Sequence, residues 1–324
     1  MRNFAIAFLF VVAVLVPAGS ASAATLYYNN SVYSVDSQWV TLVNWFLDNG
    51  YGSGATTLPS NGDYVYIDGT GAYADLTSDP VSLSGISVGE NSGGSGIELH
   101  GVSGDASFHG TSFNEGDIDG DATFEDDSYN GSNGNVTGDA TFSDSTYNEG
   151  DVGDSADFTG DSYNGSGGTV GGDATLTDST YNEGSIGGDA TFDGDSYNGS
   201  GGSVGGDADF SESTYNEGDV GGSATFTDTA YNGSDGAVAQ DAAFSDSTYN
   251  EGHVGGDATF TDAAYNGSGG VVAGAINPEP APAVSEPAAE PAPEHRHHST
   301  SSARRAANLE FLRVYHAAQS ELAQ

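Results

Sequence analysis

The chain has 324 residues, of which 47 are acidic and 5 are arginine, and it contains no lysine and no cysteine, so the formal net charge is −42. This charge excludes a nucleic-acid-binding protein, because no basic patch is present to meet phosphates. The missing cysteine excludes disulfides and thiolate sites. An aromatic content of 10% is too high for a purely solvated acidic tail, so part of the chain must fold around a core.

Residues 1–23 predict an export signal peptide. Arg2 is followed by an apolar run over residues 4–17, and Ala21 and Ala23 are the small residues at the −3 and −1 positions of a cleavage site after Ala23. An uncleaved anchor helix is the alternative. No later apolar run is long enough to cross a bilayer. We therefore expect a mature chain without a membrane span that is secreted or held at the cell surface.

Residues 24–100 predict an N-terminal cap and irregular first coils. Trp39 and Phe46 mark the ends of a stretch with helical apolar spacing, which predicts a helix that covers the open end of the domain that follows. The segment from Pro59 to Ile67 reads Pro-x-x-Gly-Asp-x-Val-x-Ile, and a turn and Val81-x-Leu83 follow it. This pattern, which covers about 40 residues, resembles the opening of secreted bacterial β-helix surface and adhesin-type proteins. The resemblance implies a surface or secreted solenoid and no particular activity.

An aromatic–Asn pair recurs ten times in residues 101–277, and a 16-residue step alternates with an 18-residue step throughout, as from Phe113 to Tyr129 and then to Tyr147. Two steps make a larger 34-residue unit. Its two halves differ in the loop after the asparagine, which begins Asn-Glu-Gly in one half and Asn-Gly-Ser in the other. The aromatic residues are Phe113, Tyr129, Tyr147, Tyr163, Tyr181, Tyr197, Tyr215, Tyr231, Tyr249 and Tyr265.

Each half-unit predicts two short strands. Ile118 to Phe124 alternates apolar or small residues with polar ones, which indicates a strand with one buried face, and a turn leads to a second strand such as Ser128 to Asn130. Helical repeats of the same period are excluded by the abundance of Gly, Asp, Ser and Thr. We predict an all-β fold, a parallel β-solenoid of about ten coils of 16 or 18 residues in a 34-residue super-repeat. Stacked at about 4.8 Å, ten coils form a rod about 48 Å long.

Two other arrangements remain open from the sequence: a wide, flattened coil made of the whole 34-residue unit, and an antiparallel meander. In either solenoid, equivalent residues stack into buried columns along the axis. The predicted core columns are Phe108, Phe124, Phe142, Phe158, Leu176, Phe192, Phe210, Phe226, Phe244 and Phe260; the alanines from Ala106 to Ala258; and Ile118, Val136, Val152, Val170, Ile186, Val204, Val220, Val238, Val254 and Val272.

The asparagine after each aromatic residue predicts a ladder at a corner of the coil, where side-chain amides bond to each other or to the turn backbone. Glycosylation is the alternative, because five of these residues begin an Asn-Gly-Ser sequon. The ladder is preferred because it explains all ten asparagines. The five sequon asparagines are Asn130, Asn164, Asn198, Asn232 and Asn266.

Two rows of acidic residues are expected on the rod surface. Neighbouring charges about 4.8 Å apart repel by about 0.9 kcal/mol in water. Either screening by salt or bridging by calcium would reduce this repulsion. The Gly-Gly-Asp runs lack the nine-residue spacing of calcium-binding RTX repeats, and no ligands are carried over from that family. The candidate calcium ligands are Asp105, Asp121, Asp139, Asp173, Asp189, Asp207, Asp241 and Asp257; the second row is Asp126, Asp144, Asp178, Glu212, Asp228, Asp246 and Asp262.

The chain changes character at Pro278. Residues 278–301 form a Pro/Ala/Glu- and His-rich linker without a core of its own. Residues 302–324 predict an amphipathic helix with Ser301 or Ser302 as its cap and with three arginines, which docks on the acidic repeats or on a partner, or else is a frayed tail.

Three functions compete at this stage. Ten near-identical coils favour a non-enzymatic extracellular spacer, adhesin or matrix component, with a cell-surface, polysaccharide or self-association partner. A calcium- or mineral-binding matrix protein is the second reading, and an ice-binding surface is a weaker variant of it. The third is a β-helix enzyme acting on polysaccharide; His109 and His253 are isolated in the repeats, and no catalytic residue is assigned.

Overall fold

The computed structural model describes residues 102–278 continuously, together with six strands of the head: β1 (Thr25–Tyr28), β2 (Trp45–Phe46), β3 (Tyr64–Ile67), β4 (Tyr73–Asp75), β5 (Leu83–Val88) and β6 (Gly96–Glu98). The predicted signal peptide, the linker after residue 278 and the C-terminal helix lie outside the described residues. Within the described part of the chain, no helix is long and apolar enough to cross a membrane.

The head strands lengthen the solenoid, as the sequence predicts. β1, β3 and β5 pair in parallel, and β5 continues in parallel onto β7 (Val102–Phe108), the first strand of the repeat region. β4 and β6 form the matching start of a second sheet. Val65, Ile86 and Val88 are buried in the same core as the repeats.

The structure describes only residues 45 and 46 of the helix predicted over residues 39–46, and there the prediction is wrong. Trp45–Phe46 is strand β2, which pairs antiparallel with β1 through Tyr28↔Trp45 and Tyr27↔Phe46. Aromatic residues favour strands, and an open strand edge supplies the hydrogen bonds that a helix would have formed internally, so pairing overrides the helical spacing. The edge of β1 is thus covered by a strand.

Each regular coil contains three short strands, where the sequence predicted two. The tyrosine strands are Phe113–Asn114, Tyr129–Asn130, Tyr147–Asn148, Tyr163–Asn164, Tyr181–Asn182, Tyr197–Asn198, Tyr215–Asn216, Tyr231–Asn232, Tyr249–Asn250 and Tyr265–Asn266. The valine strands are Asp117–Ile118, Asn135–Val136, Asp151–Val152, Thr169–Val170, Ser185–Ile186, Ser203–Val204, Asp219–Val220, Ala237–Val238, His253–Val254 and Val271–Val272. The phenylalanine strands are Ala122–Phe124, Ala140–Phe142, Ala156–Phe158, Ala174–Leu176, Ala190–Phe192, Ala208–Phe210, Ala224–Phe226, Ala242–Phe244 and Ala258–Phe260, and Ile276–Asn277 closes the series.

The predicted long strand from Ile118 to Phe124 is divided by a bend at residues 119–121. At this bend the N–H of Asp121 donates to a side chain, Asp105 Oδ1, at 3.1 Å, where a continuous strand would use a backbone carbonyl. Gly120 also approaches the coil below closely, since a Cβ there would lie 2.6 Å from the carbonyl oxygen of Gly104. The alternation of buried and exposed residues continues through the bend, which is why the sequence pattern did not reveal it.

The pairing register fixes the size of the coil. Phe113 pairs with Tyr129, and Tyr129 pairs with Tyr147, so successive coils are separated by a 16-residue step and then an 18-residue step. Every strand pair between residues 113 and 277 is parallel and joins equivalent positions of adjacent coils. The half-unit coil is therefore confirmed, and both the 34-residue coil and the antiparallel meander are wrong.

The predicted core columns are confirmed. The phenylalanine rings are 0–6% exposed, and neighbouring rings stack with centroids 4.7–4.9 Å apart and planes within 3–9° of parallel. The valine and alanine columns fill the rest of the interior. A buried phenylalanine contributes about 1.5–3 kcal/mol, so this column supplies a large share of the hydrophobic stabilisation.

The predicted asparagine ladder is also confirmed. Each Asn Nδ2 donates to Oδ1 of the asparagine in the next coil at 2.7–3.0 Å, without a break from Asn114 to Asn266. The side chains from Asn114 to Asn250 are fully buried, so the sequon asparagines inside the rod face the core and not the solvent. The ladder provides hydrogen-bond partners for amide groups that would otherwise be buried without any.

In most coils a serine or threonine stands directly before the tyrosine, and these side chains form a column of buried hydroxyls. Several of these hydroxyls, including Thr214 Oγ1, have no hydrogen-bond partner among the described residues. An unsatisfied buried hydroxyl costs about 1–3 kcal/mol, so we expect Thr214→Val to raise the free energy of unfolding by about 1 kcal/mol in a urea titration. Ala230 occupies the same position one coil later, and Ala230→Thr should lower stability by a similar amount. Destabilisation by Thr214→Val would contradict this account.

Candidate functional site

The eight aspartates predicted as calcium ligands form one exposed column along the bend of each coil. Each uses Oδ1 to accept a backbone N–H from the next coil, at 2.7–3.1 Å. The donors include Ser155 and Ser223, the two positions at which serine replaces the aspartate. The column therefore has a structural role, because it satisfies the backbone where the strand is interrupted.

The same geometry fits calcium poorly. Calcium takes six to eight oxygen ligands around one point, whereas this column offers one uncommitted carboxylate oxygen per coil along a line. Within residues 102–278, no group of three or more His, Asp or Glu side chains is placed to hold a metal ion. Calcium binding by these aspartates stays a prediction from the sequence.

The second acidic row occupies the left-handed backbone position of a turn. Its seven acidic residues have φ between 57° and 66°, and Gly110, Gly160 and Gly194 fill the same position in the other three coils. Glycine adopts this conformation without a steric cost and aspartate does so more readily than most residues, so the turn geometry favours the three glycines and six of the seven acidic residues; Glu212 is the exception. Asp126 Oδ2 also accepts the N–H of Gly110 at 3.0 Å, which ties the turn to the coil before it.

An open groove of ≈ 540 Å³ runs between the aspartate column and the outward-facing residues of the phenylalanine strands. Asp121, Thr123, Asp139 and Thr141 line it, with their equivalents in adjacent coils. The groove spans four adjacent coils, from Asp105 to Asp157. His109 lies 3.0 Å from Glu125 through Nδ1, and His253 belongs to the exposed side of a valine strand.

Along the tyrosine strands, tyrosine hydroxyls form hydrogen bonds with glutamate carboxylates. Glu217 accepts hydrogen bonds from the hydroxyls of Tyr197, through Oε2, and Tyr215, through Oε1 at 2.7 Å. Glu183 binds Tyr163 and, at 3.4 Å, Tyr181 in the same manner. In both cases one carboxylate serves two phenols of adjacent coils. These two Tyr–Glu clamps give the Asn-Glu-Gly loop a role that the other loop of the 34-residue unit does not have.

The clamps were not predicted from the sequence, in which the glutamate of the Asn-Glu-Gly loop stands out only as a difference between half-units. The available signal was its constant position two residues after a tyrosine, with a 34-residue period, at Glu149, Glu183, Glu217 and Glu251. Because the coil proved to be a half-unit, such a residue faces a tyrosine in its own coil and another in the coil before it.

Burial raises the pKa of the clamped tyrosines. For Tyr197 burial is the main cause, followed by the hydrogen bond to Glu217 and then the charge of that carboxylate. Burial is also the main cause of the raised pKa of Tyr181, followed by the charge of Glu183 and the hydrogen bond to it, and of Tyr215, followed by the hydrogen bond to Glu217 and its charge. For Tyr249, burial and the charge of Glu251 raise the pKa to about 12. The phenols therefore stay protonated in the folded rod.

Stability should fall at alkaline pH. A tyrosine in the unfolded chain ionises near pH 10, whereas Tyr249 in the rod keeps its proton until about 12, so its stabilisation is complete below pH 10 and is lost as the pH rises through that interval. We expect urea midpoints to be constant up to about pH 9 and to drop by about pH 11. The Tyr249→Phe variant should lose less over the same range, and a parallel loss in both proteins would contradict this assignment.

Comparisons with protein-family models, with curated proteins and with solved structures give no match, so the functional argument for this chain rests on its own geometry.

Proposed function

We propose that this chain is a non-enzymatic extracellular repeat protein, which acts as a surface spacer, adhesin or matrix component. The observation that carries the proposal is the unbroken register of residues 113–277, in which each strand pairs with its equivalent in the next coil. Such an array presents one surface many times and builds no single convergent site.

The charge distribution supports the same function. Residues 101–274 contain 33 acidic residues and no lysine or arginine. A rod of one charge sign stays soluble and does not collapse onto its neighbours, which suits a spacer. The predicted signal peptide would deliver the rod to the outside of the cell.

The enzyme hypothesis has less support. A polysaccharide-cleaving site needs a paired acid and base beside a substrate cleft. The carboxylates described here are spread along columns, most of the hydrogen-bonded ones hold backbone N–H groups or tyrosine hydroxyls, and an acidic rod would repel anionic sugars.

The location can be tested through a single cysteine, because the chain has none of its own. Thr141→Cys places a thiol at an exposed position of the rod. In the producing cells, we expect a membrane-impermeant maleimide to label this variant as strongly before lysis as after it. The unsubstituted chain is the control and should stay unlabelled. Labelling that appears only after lysis would overturn the proposal.

The calcium alternative has its own test. Thermal unfolding of the full chain is followed by circular dichroism in EDTA, in millimolar calcium and in monovalent salt of matched ionic strength. A gain in stability specific to calcium would show that the folded chain binds calcium and would favour the calcium-binding alternative. An equal gain in monovalent salt would mean that the carboxylates are only screened.

A further inference from the structure

Of the nine ladder asparagines from Asn114 to Asn250, four are followed by glycine and five by glutamate. An Asn-Gly pair is chemically labile, because glycine has no side chain to keep its backbone nitrogen away from the asparagine side chain, and its backbone rotates freely enough for the approach. A glutamate at the same position hinders that approach. The four Asn-Gly pairs of the ladder begin at Asn130, Asn164, Asn198 and Asn232.

The reaction open to such a pair is spontaneous deamidation. The glycine nitrogen forms a bond to Cγ of the asparagine, the Cγ–Nδ2 bond breaks, and the proton of the glycine N–H leaves with Nδ2 as ammonia. Water then breaks one of the two bonds between the imide nitrogen and a carbonyl carbon, which gives aspartate or isoaspartate. One water is consumed and one ammonia is released, so the change requires no enzyme, oxidant or cofactor.

The folded rod holds both reacting groups away from this reaction. At the Asn198 pair, the N–H of Gly199 donates to the carbonyl of Asn182 at 2.8 Å. The side chain of Asn198 accepts from Nδ2 of Asn182 and donates to Oδ1 of Asn216, each at 2.8 Å, and it is fully buried. The attacking nitrogen is therefore committed to the preceding coil, and the amide that it would attack is fixed in the ladder away from water.

The other three pairs have the same geometry. The N–H groups of Gly131, Gly165 and Gly233 each donate to the carbonyl of the ladder asparagine in the preceding coil, at 2.8 Å. The asparagines of these pairs are also fully buried. Because each of these contacts joins two coils, unfolding removes all of them together, and the four pairs then become reactive at once.

Deamidation would also prevent the rod from forming again. An aspartate carboxylate accepts hydrogen bonds but has no N–H, so it cannot donate to the next asparagine of the ladder. It would also bring a negative charge into a buried column. Isoaspartate adds a methylene group to the backbone, which moves the following residues of its coil out of register.

We propose that the four inner Asn-Gly pairs are deamidation sites protected by the fold, and that they set a time limit within which the chain can form the rod. A chain that stays unfolded loses ladder amides, whereas a chain that has folded keeps them. The pairs stand in alternate coils from Asn130 to Asn232, so a loss at any of them interrupts the ladder inside the rod.

The protection test incubates the full chain at mildly alkaline pH, in buffer and in urea above the unfolding midpoint. Samples are digested with pepsin at acid pH, where deamidation is slow, and each asparagine is assigned by tandem mass spectrometry. We expect the four pairs to deamidate at least about ten-fold faster in urea than in the folded rod. Asn182 and Asn216, which precede glutamate, are internal controls and should stay largely intact. Equal rates in the two samples, or ladder pairs that stay intact in urea, would overturn the proposal.

An exposed Asn-Gly pair in the same turn as Asn130 isolates the role of the ladder. Asn133 precedes Gly134, lies on the surface and donates to Oε2 of Glu115 at 2.9 Å. The N–H of Gly134 donates to the carbonyl of Gly131 at 2.8 Å, so the two pairs differ in the asparagine side chain and not in the bonding of the glycine N–H. In the folded rod, Asn133 should deamidate at least about three-fold faster than Asn130. Equal rates would mean that burial in the ladder gives no protection.

The second test measures refolding. Samples taken from urea at intervals are diluted into buffer and followed by circular dichroism, and the refolded fraction should fall in step with the loss of ladder amides. A sample held in urea at mildly acidic pH, where the glycine N–H is less readily deprotonated, should keep its refolding yield. Asn133→Asp should refold like the unsubstituted chain, since Asp235 already occupies the equivalent position. Full refolding of chains that have lost ladder amides, or an equal loss of yield at both pH values, would overturn the proposal.

Discussion

Replacing Asn198 by aspartate should destabilise the rod by about 3 kcal/mol or more, the largest effect that we expect from a nearly isosteric substitution. Asn198 is fully buried. It accepts from Asn182 and donates to Asn216, both at 2.8 Å. An aspartate at this position would still accept the hydrogen bond from Asn182. It would also place a buried, negatively charged oxygen against the side-chain oxygen Oδ1 of Asn216. The measurement is the free energy of unfolding from a urea titration.

Ser185→Asp provides the matched control for this substitution. It adds the same charge at an exposed position of a valine strand, and the equivalent positions in other coils already hold Asp151 and Asp219. We expect its effect to stay within about 1 kcal/mol. If the two variants lose the same stability, net charge and not the amide ladder is responsible, and the role given to the asparagines is wrong.

Gly202→Ala should cost about 3 kcal/mol, whereas Gly201→Ala next to it should change stability by less than about 1 kcal/mol. A Cβ on Gly202 would lie 2.3 Å from Asn198 Oδ1 and 2.6 Å from the carbonyl oxygen of Asn182. The asparagine ladder and the backbone of the adjacent coil leave no room for it. The nearest atom to a Cβ on Gly201 is the carbonyl oxygen of Glu183, at 3.3 Å.

The residues at equivalent positions of other coils support the expected difference between Gly201 and Gly202. The position equivalent to Gly201 holds Asn133 and Asp235 in other coils, whereas the position equivalent to Gly202 holds glycine at Gly134 and Gly236. Urea titrations of the two alanine variants measure the difference directly. Equal stability of both variants would mean that the corner is looser than the distances indicate.

Much of the fold could be predicted from the sequence because the repeat forces equivalent residues to stack. The phenylalanine column and the asparagine ladder follow from the period alone, since a residue type that recurs in every coil must suit its own copies above and below. The trio Gly120, Asp121 and Ala122 illustrates the limit. Its alternation predicts one strand, but the bend depends on a hydrogen bond from the backbone to Asp105, which links two coils and leaves no trace in local periodicity.

The same limit applies to the candidate site. The sequence reveals the two acidic rows, but the role of each row depends on what its carboxylate oxygens contact. The first row caps backbone N–H groups, and the second supplies a left-handed turn position. Both are reasons for aspartate that require no ligand. The Tyr–Glu clamps were missed because they need the coil size to be known before Glu217 can be placed against Tyr197.

A regular stack of this kind suits a protein whose function depends on extension. The core columns, the asparagine ladder and the tyrosine edge each run the length of the repeats, so each added 34-residue unit lengthens the rod without a new interface. The predicted export signal and the acidic surface agree with the extracellular spacer that we propose.

The most direct test of the half-unit coil is the distance between spin labels at Thr123→Cys and Thr259→Cys, measured by pulsed electron paramagnetic resonance on labelled protein diluted with unlabelled chain. Eight coil steps, or four whole 34-residue units, separate these positions in the pairing register. At about 4.8 Å per step, the account predicts a narrow distribution centred at about 38 Å. A distance of about 19 Å would mean that the whole 34-residue unit forms one coil, and a broad distribution would mean that the rod is not formed; either result would contradict the structure described here.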